Sequence, residues 1–301
     1  MRRVGDLSSG YTIIEVMIFL AISGVIFIFA VIFVSGKQNQ VEFSQGMANI
    51  KIQLQQVIDD AVNGSFSEPA NFSCKDGGVS SGRETLLFLN NAANQGSNGQ
   101  CMFIGYGVQF DVYGTNSNGY AIVPVAISRL SSNNLPISSL NDAVPTPLTA
   151  DQYGTGTSGV DLVRSGSLGY GIQVTKMFSI NNNNSPPKYT PIDGFAVFDN
   201  ITSNSQYSSS SSNSQPASLY STTLTVPAPT EENTSLSSIA PFSYYITQIG
   251  AGDALTNNDQ ILICFQGAGS SSEKASIVLG SSNNQMAVTM HLIDGVSAQC
   301  L

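Results

Sequence analysis

The chain has 301 residues, of which 42% are hydrophobic and only 10% are charged, and its formal net charge at pH 7 is -9. This length is sufficient for a large domain with a hydrophobic core. Because the negative charge repels phosphate groups and anionic membrane surfaces, we expect no direct binding of nucleic acid. The scarcity of charged residues favours an extracellular protein over a cytosolic enzyme.

The N-terminal region has two parts in a fixed order. A basic segment, residues 1–10, ends in Gly10. An apolar run over residues 11–34 follows at once and contains a single charged residue, Glu15. The run exceeds the roughly 20 residues that a membrane-spanning helix needs. It continues without the small-residue cleavage site of an ordinary signal peptide. The sequence therefore predicts a transmembrane helix.

Glu15 needs an explanation, because a carboxylate inside a membrane-spanning helix costs about 2.5–3.5 kcal/mol on insertion scales. A basic leader ending in Gly10, then aromatic Tyr11, then Glu at the fifth position after the glycine resembles the type IV prepilin family. The resemblance is carried by residues 10–24, GYTIIEVMIFLAISG. It implies that prepilin peptidase cuts between Gly10 and Tyr11 and methylates the new amino group of Tyr11. It also implies that Glu15 pairs with the N-terminal ammonium of a neighbouring subunit.

The resemblance implies a structural, non-enzymatic subunit of a type IV pilus or of a secretion pseudopilus. The implied partners are other pilin subunits, prepilin peptidase, the inner-membrane assembly machinery and, before assembly, the membrane. We expect a single-pass protein of the cytoplasmic membrane that then enters a cell-surface filament. Removing 10 of the 301 residues leaves 291, a large size for a repeating subunit, which favours a minor pilin. A filament-tip adhesin and an anchored surface protein that does not polymerise remain alternatives.

After the apolar run, the sequence predicts an amphipathic helix and then a β-rich head. The predicted fold class is α+β, with a long N-terminal helix packed on an antiparallel β head. Apolar residues at three- and four-residue spacing predict the buried face of the helix, and Asn63 with Gly64 predicts its end. This face comprises Met47, Ile50, Leu54, Val57, Ile58 and Ala61. The predicted parts are a leader (1–10), a transmembrane and polymerisation helix (11–36), an amphipathic helix (37–64) and an extracellular head (65–301) with a low-complexity loop near 203–218.

Short apolar runs between clusters of glycine, asparagine and serine predict the strands of the head. The predicted strands cover residues 85–89, 102–113, 120–127, 168–178, 194–198, 260–266, 275–279 and 286–293. The residues from Cys74 to Gly77 are interpreted as a turn. A separate subdomain within residues 130–258 remains an open alternative.

The cysteine pattern predicts two disulfide bonds. Cys74, Cys101, Cys264 and Cys300 show no CxxC spacing, and His291 is the only histidine, so a zinc site is not expected. Four cysteines allow three connectivities. We favour Cys74 with Cys101 and Cys264 with Cys300, because each pair brackets one local stretch of the chain.

Other patterns suggest chemistry only weakly. Residues 78–82 match G-x-S-x-G, which requires a strand before the serine and a helix after it. Residues 154–159 match G-x-G-x-x-G, which requires a strand followed by a helix. Neither context is predicted. Asp253 and Asp259 could offer oxygen ligands to calcium, although their spacing is not that of an EF-hand. We predict no catalytic residue and no cofactor, with calcium as the one alternative, and interpret His291 as a surface or core residue.

Overall fold

A computed structural model of the protein describes residues 12–64, 73–89, 100–110, 118–148, 162–199, 217–222, 246–250, 253–255, 259–267, 273–282, 285–292 and 297–300. The chain divides into two compact units, Met1–Gln45 and Gly46–Leu301. The strands described all lie in the second unit. The described residues between 130 and 258 belong to the second unit.

One continuous helix, α1, spans Ile13–Val62. The predicted apolar face is buried, since Met47, Ile50, Leu54, Val57, Ile58 and Ala61 are each at most 5% exposed. The helix ends at the predicted position. The amide of Gly64 donates a hydrogen bond to the carbonyl of Ala61, and Gly64 has a φ of 60°. Glycine is favoured at this left-handed position after a helix.

The described residues contain thirteen strands, which are numbered in chain order. Their bounds are β1 Ser73–Ser80, β2 Arg83–Leu89, β3 Cys101–Phe110, β4 Gly119–Ser128, β5 Thr146–Pro147, β6 Arg164–Ser167, β7 Gln173–Asn181, β8 Lys188–Pro191, β9 Gly194–Asp199, β10 Ala217–Thr222, β11 Asp259–Gln266, β12 Lys274–Ser282 and β13 Gln285–Leu292. Two 3₁₀ turns, Gly169–Gly171 and Ala298–Cys300, accompany them.

The strands form three antiparallel sheets. Strands β1 and β2 form a hairpin, and the second sheet has the order β10-β9-β3-β4-β5, with β6 also paired to β4. The third sheet has the order β13-β12-β11-β7-β8. The predicted α+β class, a long helix with an antiparallel β head, is confirmed.

The second half of α1 packs on the six-stranded sheet. Ile50, Leu54 and Val57 of the helix line a small apolar crevice together with Val108 and Phe110 of β3. The crevice has nearly no polar surface, so this contact depends on the burial of apolar area.

Two aromatic rings join the six-stranded sheet to the five-stranded sheet. Phe110 at the end of β3 packs edge-to-face on Phe265 of β11, and their ring centroids lie 6.3 Å apart. Both side chains are at most 3% exposed. The two large sheets therefore share part of one core within the second unit.

The favoured disulfide pairing is confirmed. Cys74 of β1 bonds to Cys101 of β3, with a Cα separation of 6.1 Å, and so links the hairpin to the six-stranded sheet. Cys264 of β11 bonds to Cys300, with a Cα separation of 5.3 Å, and so holds the last 3₁₀ turn on the five-stranded sheet. In the chain-entropy model, loops of 27 and 36 residues correspond to a stabilisation of roughly 3.5–4 kcal/mol each.

The prediction of one strand over residues 168–178 is wrong. The structure contains β6, the 3₁₀ turn Gly169–Gly171, and then β7. Tyr170 in the turn has a φ of 58°, a left-handed conformation that breaks an extended chain. At this break the chain leaves the six-stranded sheet and enters the five-stranded one.

The interpretation of Cys74 to Gly77 as a turn is also wrong, because these residues belong to β1. The register of the β1–β2 pair shifts between Asp76 and Gly78, so the glycines mark a β-bulge within the strand. The turn comes later, at Ser81 and Gly82, which both have positive φ.

Residues 203–216 of the predicted low-complexity loop lie outside the described residues, whereas Ala217 and Ser218 belong to β10 rather than to a loop. Strand β10 pairs with β9 in regular antiparallel register. Strands β5, β6 and β8 were likewise not predicted as separate strands. They contain two to four residues each, which is too short for an alternating pattern to emerge.

Candidate functional site

The candidate site is the N-terminal end of α1 and the apolar surface that follows it. Gly10 and Tyr11 lie outside the described residues, so the cleavage position remains a prediction. The described part of the site begins at Thr12, immediately before the first helical residue, Ile13. Glu15 lies in the first turn of the helix, where the helix dipole stabilises a negative charge.

Thr12 caps the start of the helix. Its backbone carbonyl accepts hydrogen bonds from the amides of Glu15 and Val16 at 3.1 and 3.2 Å. Its side-chain hydroxyl oxygen also accepts a hydrogen bond from the amide of Glu15 at 3.4 Å. Thr followed three residues later by Glu is the capping-box pattern at a helix N-terminus. The T-x-x-E pattern was present in the sequence, but we did not predict this local role for Glu15.

The helix then presents a largely apolar surface. The segment Ile13–Ile32 has 20 residues, a mean hydropathy of 2.7 and no buried residue. At about 1.5 Å per residue it spans about 30 Å, the thickness of the hydrocarbon core of a bilayer. By length and composition this helix could cross a membrane.

The side chains of Ser23 and Glu15, the polar ones in this segment, differ in their hydrogen bonding. The hydroxyl of Ser23 donates a hydrogen bond to the carbonyl of Phe19 at 2.7 Å, so it carries no unmet hydrogen bond into an apolar medium. The carboxylate of Glu15 is exposed and has no hydrogen-bond partner among the described residues. In a membrane or in a helix bundle, such a carboxylate requires a partner that is cationic or donates hydrogen bonds.

The G-x-S-x-G match at residues 78–82 lies at the tip of the β1–β2 hairpin. Ser80 ends β1, Ser81 and Gly82 form the turn, and Arg83 begins β2. A nucleophile elbow requires a helix after the turn, whereas a strand follows here. The G-x-G-x-x-G match at residues 154–159 lies outside the described residues.

The two aspartates considered for calcium have different surroundings. Asp253 is exposed, and its carboxylate accepts a hydrogen bond from the amide of Gly250 at 2.7 Å. Asp259 is only 7% exposed at the start of β11. No group of three or more His, Cys, Asp or Glu residues lies close enough to hold a metal among the residues that the structure describes. His291 is exposed on β13, where it lies opposite Ser276 of β12.

A partly buried polar cluster in the head was missed by sequence analysis. The guanidinium of Arg83 donates hydrogen bonds to the carbonyls of Leu140, Ala143 and Ile249 at 2.6, 2.9 and 2.6 Å. Burial lowers the pKa of Arg83, and the charge of Asp253 opposes this change. The next residue, Glu84, is 4% exposed and accepts a hydrogen bond from the amide of Ser132. These contacts are structural, because they hold the hairpin on two loops.

Comparison of the chain with protein-family models, with curated proteins and with solved structures finds no match. Within the described residues, the structure establishes an α+β architecture, an exposed apolar helix near the N-terminus and two disulfide bonds. Disulfide bonds of this kind persist in oxidising compartments outside the cytoplasm.

Proposed function

We propose that the protein is a structural subunit, a minor pilin or pseudopilin, of a type IV pilus or a secretion-type filament. Prepilin peptidase removes residues 1–10, and the subunit waits in the cytoplasmic membrane before the assembly machinery adds it to the filament. The observation that carries the proposal is the combination of the Gly10–Tyr11–Glu15 signature with one continuous helix. That helix is exposed and apolar over Ile13–Ile32 and buried on a β head beyond Gly46.

The two halves of α1 support two different tasks. An apolar segment with no buried residue is suited first to lipid and then to packing against identical helices, since both are apolar surroundings. The half beyond Gly46 contributes its apolar stripe to the head. The disulfide bonds support a head that lies outside the cytoplasm.

Glu15 has the central chemical task in this proposal. Its carboxylate pairs with the methylated ammonium of Tyr11 in a neighbouring subunit, which compensates its transfer out of water. The lack of a partner for this carboxylate within the described residues supports an intermolecular partner. Pairing also guides docking, because an incoming subunit that fails to neutralise Glu15 leaves a buried charge.

Glu15→Gln tests this task while preserving the helix start, because Gln also serves in a capping box. We expect the variant to accumulate in the membrane at the wild-type level and to yield far fewer filaments in sheared cell-surface fractions. Glu15→Asp is the matched control, because it retains the negative charge but holds it one methylene further from the proposed partner. We expect it to yield more filaments than Glu15→Gln and fewer than the wild type. Wild-type filament yield from Glu15→Gln would contradict the proposal.

An anchored surface protein that does not polymerise is the second candidate, and the Thr12–Glu15 arrangement favours it. Glu15 lies in the first turn of a helix that Thr12 caps, where the helix dipole stabilises its charge, and this gives Glu15 a local structural reason to be present. In that case Thr12→Ala and Glu15→Ala should impair membrane accumulation to a similar degree, and neither should have a separate effect on filaments. The filament-tip adhesin shares the N-terminal processing and depends on residues 203–218, which lie mostly outside the described residues.

A further inference from the structure

The two edges of the five-stranded sheet differ sharply. Strand β8 has four residues, which include Lys188 and Pro191. Lysine and proline on a short edge strand discourage pairing with another chain. Strand β13 at the opposite edge has eight residues, with no proline and no Asp, Glu, Lys or Arg. It pairs with β12 over eight consecutive positions without a bulge, so within β13 itself the short length, charges, proline and bulge that protect an edge strand are absent.

The outer edge of β13 pairs with no other strand in the part of the chain that the structure describes. A long regular edge is a template on which a further strand adds by backbone hydrogen bonds. On the face towards the core, Val288 is buried while Met290 and Leu292 are half-buried. Thr289 and His291 are exposed on the opposite face. An added strand must therefore carry apolar residues on one side and small or polar residues on the other.

The strand that best meets these conditions is a second copy of β13. Residues 65–301 contain seven basic and fifteen acidic groups, a net charge of -8, so two heads carry net charge of the same sign and repel each other. Strand β13 contributes no charge to that repulsion. Antiparallel pairing with Thr289 opposite Thr289 of the second copy sets Val288 opposite Met290. Val288 and Met290 are two residues apart and therefore lie on the same face of β13, so this register places the apolar faces of both strands on the same side of the joined sheet.

We propose that β13 pairs antiparallel with β13 of a second copy and joins two five-stranded sheets into one continuous sheet. This contact is two-fold symmetric, whereas successive subunits of one helical filament meet head to tail. It therefore joins two separate molecules, and in the filament of the proposed function it joins neighbouring filaments side by side. The contact belongs to the head alone and does not depend on cleavage at Gly10 or on Glu15. One strand pair is a small interface, so repetition along two filaments would strengthen it.

Thr289→Cys tests the proposal in the full chain in detergent micelles. All four cysteines are in disulfide bonds, so the new cysteine is the only free thiol. Directly opposite residues in an antiparallel pair have Cα atoms about 4.5–5.5 Å apart, within the disulfide range of about 4.4–6.8 Å. Under mild oxidation we expect a cross-linked dimer on non-reducing gels.

Two matched controls separate this contact from random collision in micelles. His291→Cys lies on the same exposed face, but in the proposed register the two new thiols are more than ~10 Å apart. Lys188→Cys lies on the opposite edge. Thr289→Cys should cross-link several-fold faster than either control. Equal cross-linking rates in all three variants would overturn the proposal. Protection of the thiol in Thr289→Cys from a maleimide probe, without formation of the dimer, would also overturn it, because another segment would then cover the edge. A chain that carries both Thr289→Cys and Glu15→Gln should still form the cross-linked dimer. This result would show that the β13 contact does not depend on the proposed polymerisation through Glu15.

Discussion

The hydroxyl oxygen of Thr12 lies 3.4 Å from the amide nitrogen of Glu15, and Glu15 is thereby the third residue of a capped helix. Two interactions thus meet at one residue. The backbone of Glu15 takes part in starting α1, while its exposed carboxylate remains available for an intermolecular partner. The two roles are separable by substitution, because the cap depends on Thr12 and the charge depends only on Glu15.

Thr12→Ala removes the side-chain cap and leaves the charge of Glu15 in place. An N-cap hydroxyl contributes about 1 kcal/mol, so we expect faster hydrogen exchange at the amides of Glu15 and Val16, which donate to Thr12, and no change in the head. Thr12→Ser retains the hydroxyl and should exchange at the wild-type rate. Equal exchange rates in Thr12→Ala and Thr12→Ser would contradict a capping role.

Gly46→Val should destabilise the head. A Cβ at this buried helical position would overlap the side chains of Ile172 and Tyr170, and overpacking of this kind costs about 1–3 kcal/mol. The measurement is the denaturant midpoint of the full chain in detergent. Gly24→Val is the control, because a Cβ at Gly24 meets nothing within 4 Å. Equal midpoints for Gly46→Val and wild type would contradict the close packing of α1 on the turn at Tyr170.

Arg83→Met should destabilise the head more than an ordinary surface substitution does. Three backbone carbonyls accept hydrogen bonds from the Nη2 atom of Arg83, and each buried polar group left without a partner costs about 1–3 kcal/mol. Arg83→Lys should recover only part of the loss, because an ammonium lacks the planar fork of donors. Arg129→Met, at an exposed position, is the charge-matched control. Similar unfolding midpoints for Arg83→Met and Arg129→Met would contradict a stabilising role for the hydrogen bonds of Arg83.

Asp193 should make stability depend on pH. It is 7% exposed in the two-residue link between β8 and β9, and burial raises the pKa of its carboxyl from 3.8 to about 6. Between these two values the folded state binds a proton that the unfolded state has released, so stability falls as pH rises from about 4 to about 6. Asp193→Asn removes the buried charge. The variant should therefore be more stable than wild type at about pH 7 and close to it at about pH 4.

Unfolding midpoints of Asp193→Asn and wild type at both pH values check this expectation. Asp59→Asn removes an exposed carboxylate on α1 and serves as the control. A stability difference between Asp193→Asn and wild type that stays the same at both pH values would show that Asp193 is not the titrating group.

The sequence predicted those parts of the fold that depend on local periodicity. The stripe from Met47 to Ala61 follows the helical repeat, and every member of it is buried. The end of α1 follows from the conformational freedom of Gly64. The disulfide pairing was also predictable, because each bond closes a short stretch of chain.

The parts that were not predicted depend on distant partners. The carbonyls that accept hydrogen bonds from Arg83 come from residues 57 to 166 positions away, and no local pattern marks them. Cys74 to Gly77 of β1 were interpreted as a turn because a bulge and a turn share the same preference for glycine. The strand over residues 168–178 was not divided, because the change of sheet near Tyr170 leaves no trace in the alternation of apolar residues.

Processing of the N-terminus at Gly10, which creates the ammonium that Glu15 is proposed to pair with, is the central claim, and the mass of the N-terminal peptide tests it most directly. The protein should be isolated from its own cells, digested and sequenced by tandem mass spectrometry. We predict a mature chain that begins at Tyr11 with an N-methyl group and retains the whole apolar segment Ile13–Ile32. A chain that begins at Met1 would contradict the account and favour the anchored surface protein that does not polymerise, and a chain that begins beyond Ile32 would contradict the account as well.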